Sequence, residues 1–358
     1  MGPLKGFRVL EIAGMGPTPF CGMLLADFGA EVISVSRDVK PSGDAAAIVS
    51  ERGKRSIVLD LKSESGKQAL LTLCETSNAL IEGFRPGVME RLGLGPEQCL
   101  ARNPELVYGR MTGWGQSGPL ATQAGHDINY IALSGALHAM GTLGQKPVVP
   151  LNLVGDFGGG GLLLALSVVS AILHAKLSGQ GQTVDVSMVE GSALLMHSAY
   201  AFLHQGVWED QRGSNLLDGA AHFYDTYITK DGKYIALGAI EPQFYQQLLQ
   251  ILGLTLSVED QMKPDTWPHA KACIARKILT KTREEWEEIF AGSDACFSPI
   301  LSMKEAPDHP HNRERETFID IGGVVQPAPA PKFSRTPLDV PQPPPKKGEH
   351  SALYRVPQ

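Results

Sequence analysis

The strongest constraint on this chain is the alternation, through its first third, of short β-branched runs with stretches of helical length. Arg8-Val9-Leu10-Glu11-Ile12, Glu31-Val32-Ile33-Ser34-Val35, Ser56-Ile57-Val58-Leu59, Ala79-Leu80-Ile81 and Leu106 to Met111 read as strands, with Thr183 to Ser187 completing the set. Helical stretches lie between them, including one after Gly14-Met15-Gly16-Pro17 and one over Gly66 to Glu75. Strands alternating with helices predict an α/β fold whose large domain holds a Rossmann-like, doubly wound parallel sheet.

Such sheets bind ligands outside the carboxyl ends of their strands. Those ends carry Arg37, then Asp60, Leu61 and Lys62, then Gly83, Phe84 and Arg85, with Arg91 shortly after. Taken singly, each basic residue is an ordinary solvated charge; their shared position marks a place for a phosphorylated ligand. The formal net charge of −6 makes nucleic acid and anionic membrane poor partners, so an anion must be held by local cations. Nicotinamide and ATP chemistry find little support. Pro19 stands where a dinucleotide fingerprint needs its third glycine, which leaves Gly14 and Gly16 as tight-turn residues, and Gly53-Lys54-Arg55-Ser56 lacks the upstream half of a P-loop.

Two stretches carry candidate acid–base chemistry. In Gly125-His126-Asp127-Ile128-Asn129-Tyr130, and again in Asn152-Leu153-Val154-Gly155-Asp156-Phe157, a titratable side chain stands where an apolar segment begins. A helix start favours a nearby carboxylate or enolate oxygen, and an imidazole and a carboxyl group facing one carbon could take a proton from one side and return one to the other. A surface histidine and a capping aspartate fit the same pattern. An apolar helix expected to begin near Asp156 and run to about Lys176 has Gly158 to Gly161 in its first turn and a half; four glycines there weaken a helix, which points either to close approach by a ligand or to close helix packing.

With 358 residues, 43% of them hydrophobic and 20% charged, the chain has room for more than one globular domain. Residues 1–187 are expected to form the large domain and 188–224 a linker that includes a helix over Met188 to His204. Residues 225–310 are expected to form a smaller α+β domain with a hairpin around Asp231-Gly232, 311–326 a second linker, and 327–358 a proline-rich arm returning to the large domain. The five cysteines are widely spaced and without metal-ligand spacing, there is no apolar leader, and Val356-Pro357-Gln358 is no peroxisomal address. A cytoplasmic protein without bound metal is expected. The longest apolar run, Leu162 to Leu173, is too short to span a bilayer.

Longer motifs add a resemblance. Val9-Leu10-Glu11-Ile12-Ala13-Gly14, Leu24-Leu25 running into Ala26-Asp27-Phe28-Gly29-Ala30-Glu31-Val32, and Leu59-Asp60-Leu61-Lys62 resemble the type III CoA transferase (CaiB/BaiF-like) superfamily. Ala124 to Tyr130, Leu151 to Phe157 and Gly238 to Tyr245 resemble its alpha-methylacyl-CoA racemase branch. The resemblance implies an interlocked homodimer acting on an acyl-CoA, with CoA as part of the substrate and no further cofactor. It implies His126 and Asp156 as the acid–base residues, Glu241 approaching His126, and Asp127 in the same hydrogen-bonded surroundings. By the same motifs, Arg37, Leu59 to Lys62, Gly83 to Arg85, Arg91 and Gly125 to Tyr130 would contact the thioester. Two alternatives share these residues: a CoA transferase using Asp156 as nucleophile, and a non-catalytic acyl-CoA binder.

Overall fold

The computed structural model describes residues 2–37 and 47–354, so Val356-Pro357-Gln358 lie outside the described residues. The chain divides into two compact units, Met1–Ser134 with Pro150–Met196 and Arg313–Gln358, and Gly135–Val149 with His197–Asn312.

The first unit is built on a parallel sheet of six strands: β1 (Arg8–Ile12), β2 (Glu31–Ser36), β3 (Arg55–Val58), β4 (Ala79–Glu82), β5 (Val107–Thr112) and β6 (Gln182–Ser187). Their order, β3-β2-β1-β4-β5-β6, is that of the dinucleotide-binding doubly wound fold, with winding reversing between β1 and β4. Successive side chains of a strand point to opposite faces, which explains the unbroken apolar runs. Val9, Val32, Ile81 and Val107 enter one core, shared with Leu164 and Val168 from the helix Leu163–Ser178. Their neighbours Leu10, Ile33, Leu80 and Tyr108 enter the other, which Leu70 and Leu73 of the helix Glu64–Glu75 complete.

Leu59 and Leu61, expected to touch the ligand, are buried in that second core. Their apolar side chains belong under the sheet, while the alternate residues Asp60 and Lys62 are exposed. The 311–326 segment is not a plain linker, since β10 (Phe318–Ile321) and β11 (Val324–Pro327) form an antiparallel hairpin around Gly322-Gly323. The helix expected over Met188 to His204 is present as two, Met188–Leu195 and His197–His204. The proline-rich arm docks on the first unit. Phe333 meets the ring of Phe28 edge-on at 5.6 Å, and the amide of His350 donates to Ser56 O at 2.9 Å. Val58 N–H donates to Ser351 Oγ at 3.1 Å, so the arm covers the backbone edge that β3 would otherwise leave open.

The apolar helix also begins earlier than the periodicity implied. A π-helical segment, Leu153–Leu162, runs directly into Leu163–Ser178. The continuous helix of 26 residues is long and apolar enough to cross a membrane by length and composition; one face of it lies in the core.

The second unit holds an antiparallel sheet, β7 (Tyr224–Ile228), β8 (Tyr234–Gly238) and β9 (Phe297–Ile300), in that order. The helices Pro242–Leu252, Trp267–Ile278 and Arg283–Phe290 bury Tyr245, Leu248, Ile274 and Trp286 in its core.

A buried ion pair ties the first unit together. The Arg52 guanidinium donates to both Asp27 carboxylate oxygens, at 3.1 and 2.6 Å, and also to Gln326 Oε1 and Pro327 O on the hairpin. Removing one member of a buried pair strands the other. Arg52→Ala is therefore expected to lower unfolding stability by about 3–5 kcal/mol in denaturant titration; a change within experimental error would show that the pair contributes little.

Candidate active site

A cleft of about 460 Å³ opens at the reversal between β1 and β4, where a doubly wound sheet binds ligands. Its floor comes from Met15, Gly16 and Pro17 after β1, from Gly83, Phe84 and Arg85 after β4, and from Thr112, Gly113 and Trp114 at the end of β5. Glu82, fully buried at the end of β4, accepts the Phe84 N–H at 2.7 Å and the Arg110 Nε–H at 2.9 Å. That carboxylate fixes the turn which presents Phe84 and Arg85.

His126, Tyr130 and Asp156 line the same cleft. His126 is the N-cap of the helix Asp127–Leu133, with extended backbone, and its own N–H donates to Asn129 Oδ1 at 3.0 Å. Its imidazole is exposed at the rim. Tyr130, one turn on, stands edge-on to Trp114 at 4.8 Å, and its hydroxyl donates to the carbonyl of Gly125. Burial pushes the Tyr130 phenol up, and the nearby Asp156 carboxylate adds to the shift.

Asp156 lies in the first turn of the π-helical segment. Its backbone N–H donates to the buried Asp127 carboxylate at 2.7 Å, and its side chain accepts from Asn152 Nδ2 at 3.1 Å. Burial raises the Asp156 carboxyl above the ordinary aspartate range. The Asn152 hydrogen bond opposes this, Asp127 reinforces it, and His126 opposes it again. The protonated form therefore persists to higher pH than for a solvated aspartate.

The glycine run is resolved in favour of close packing at Gly159. A Cβ at Gly191, on the helix Met188–Leu195, would lie 1.9 Å from Gly159 O, and one at Gly159 would lie 2.6 Å from Ser192 N. Two backbones cross here with no room for a side chain.

A model of CoA-transferase family III matches residues 4–351. The chain belongs to CoA-transferase family III. Alpha-methylacyl-CoA racemase of Mus musculus is 49% identical over 352 residues, covering 97% of this chain and 91% of that protein. The Homo sapiens alpha-methylacyl-CoA racemase is 47% identical over 341 residues, covering 93% and 87%. A CAIB/BAIF family protein from Brucella suis, known from a crystal structure, matches with a TM-score of 0.83 at 25% identity, over 99% of this chain and 98% of that one.

Not every residue expected at the site of this family III chain lies in the cleft. Gly83, Phe84, Arg85, Gly125, His126, Tyr130 and Asp156 line it. Asp127 is buried beneath it, holding the Asp156 backbone, while Ile128 and Asn129 are exposed on the helix after His126. Arg37, Asp60, Lys62 and Arg91 are exposed and are not among the residues lining this cleft. Glu241 belongs to the second unit, as the N-cap of Pro242–Leu252. Asn152, Trp114 and Met188 escaped the sequence reading. Asn152 stands within a quoted motif, but the hydrogen bond that gives it a role depends on helix winding. Trp114 sits on the loop after β5 and was legible by position alone.

Gly191→Ala is expected to lower the thermal midpoint, since overpacking a tight contact costs about 1–3 kcal/mol. It should also cut turnover at least roughly tenfold, because the segment carrying Asp156 must shift. A stable variant with unchanged turnover would dissociate this crossing from the site.

Proposed function

We propose that this chain is a racemase that interconverts (R)- and (S)-2-methylacyl-CoA thioesters by 1,1-proton transfer through an enolate. His126 and Asp156 are its acid–base pair. The observation that carries this reading is a single cleft lined by an imidazole and by a carboxyl group whose burial favours its protonated form. Near-half identity to two proteins named for this activity supports it.

The residue types account for the chemistry. Neutral imidazole takes the α-proton while the Asp156 carboxylic acid delivers one to the opposite face, leaving imidazolium and carboxylate. The reverse reaction starts from that charged pair, so each turnover takes one proton and gives one. CoA enters as part of the substrate, with Arg85 in the cleft and Arg37 and Lys62 at neighbouring strand ends as cations for its phosphates. A transferase would use Asp156 as a nucleophile and would not require an imidazole, whereas this cleft is lined by His126 as well as Asp156.

A homodimer is part of the same proposal. Leu162, Leu166, Leu173 and Leu177 recur along the continuous helix and are exposed, Leu177 at 81%, an apolar stripe suited to a second copy of the chain. The location proposed is the cytoplasm.

Incubating the protein with (S)-2-methylacyl-CoA in D₂O, without an acceptor acid, should place deuterium at the α-carbon and produce both enantiomers. CoA transfer to an added carboxylate without deuterium at the α-carbon would favour the transferase. His126→Ala and Asp156→Ala are each expected to lose roughly 10²-fold or more in turnover while retaining thioester binding; undiminished epimerisation by either variant would remove it from the pair.

A further inference from the structure

The two oxygens of the Asp156 carboxyl group have different surroundings. Oδ2 accepts from the side-chain amide of Asn152 at 3.1 Å. The same Oδ2 faces Gly16, in the tight turn after β1: a Cβ at Gly16 would stand 3.3 Å from it, and Gly16 has φ +71°, where glycine alone is unstrained. Oδ2 thus accepts from an amide donor and faces Gly16 across a gap that a β-carbon would crowd.

The winding of the helix produces this arrangement. Asn152 is the N-cap of the π-helical segment and Asp156 lies four residues on, where its backbone is fixed by the Asp127 carboxylate. With the main chain held by one residue and Oδ2 by another, the carboxyl plane has little freedom to turn.

We propose that Asn152 is a positioning residue that anchors Asp156 Oδ2 so that Oδ1 is the atom that takes and gives the substrate proton. The amide can donate but not accept at Nδ2, so it accepts either protonation state of its partner only if the acid proton resides on Oδ1. The proton is thereby addressed to one oxygen. This rests on Asp156 acting as an acid–base group, as proposed above.

Loss of the amide should change the pH profile in a definite direction. The titratable groups that act on Asp156 are Asp127 and His126, with Tyr130 beside it and Arg85 acting on Tyr130. Of the influences on Asp156, the Asn152 hydrogen bond and His126 lower its pKa, so removing the amide raises it further. In the direction that starts from imidazolium and carboxylate, the acid limb of kcat/KM marks protonation of the Asp156 carboxylate. That limb should therefore move to higher pH.

The test compares wild type, Asn152→Ala, Asn152→Ser and Asp156→Ala in α-proton exchange of a 2-methylacyl-CoA across pH, with thermal midpoints as a check on folding. Asn152→Ala should shift the acid limb upward by about half to one pH unit, the size expected for one hydrogen bond to a carboxylate, with several-fold slower exchange at the optimum. Asn152→Ser, which restores a donor, should move the limb partly back. A folded Asn152→Ala whose limb stays in place, whether its rate falls or not, would overturn the role of Asn152. If Asn152→Ala does not fold, the Asn152→Ser profile decides: an unshifted limb in that shorter donor variant would overturn it. Full activity in Asp156→Ala would instead sink the acid–base reading on which the proposal stands.

Discussion

Everything in the candidate site depends on the reversal of winding between β1 and β4. A parallel sheet whose crossovers pass to one face on one side and the other face on the other side leaves a crevice at the carboxyl ends of its two central strands. In this chain β1 runs into Met15-Gly16-Pro17 and β4 into Gly83-Phe84-Arg85, and both turns form the floor of the cleft. Glu82 holds the second turn by its hydrogen bond to the Phe84 amide. The Arg110 guanidinium that neutralises Glu82 also reaches Glu90 at 2.6 Å, so the rim is braced by buried charge rather than left to loop flexibility.

Into this crevice the chain delivers an imidazole and a carboxyl group by two different devices. His126 comes at the start of a conventional helix whose side-chain amide at Asn129 ties back to its N–H. Asp156 comes on a π-helical segment that packs against Met188–Leu195 through glycine, close enough that no β-carbon fits. Burial is the largest influence on Asp156 and raises its pKa, outweighing the amide that would stabilise the ion. The balance keeps Asp156 protonated to higher pH than a solvated aspartate.

The central sheet was legible because two-sided burial demands continuous apolar strands, and Val9 to Ile12 or Val32 to Val35 could hardly be anything else. His126 was legible as a helix start for a similar reason, an apolar run preceded by a polar cap. The π-helical winding was not: Gly158 to Gly161 have no side-chain periodicity to reveal it, and the choice between ligand approach and helix packing was settled by Gly191 and Ser192, which are remote in sequence. Leu59 and Leu61 lie at a strand end, and their apolar side chains turn into the core. β9 escaped notice because it is short and contains Pro299, and the hairpin Phe318–Pro327 because its residues follow no long run. The assignment of Gly135–Val149 to the second unit depends on contacts with residues far along the chain, such as the Arg212 guanidinium donating to His138 O at 2.8 Å.

The most direct measurement is a crystal structure of the protein with a bound 2-methylacyl-CoA. The α-carbon should lie between the His126 imidazole and Asp156 Oδ1, with the two groups on opposite faces of the thioester plane. A thioester bound away from this cleft, or with both groups on the same face of the α-carbon, would contradict the account.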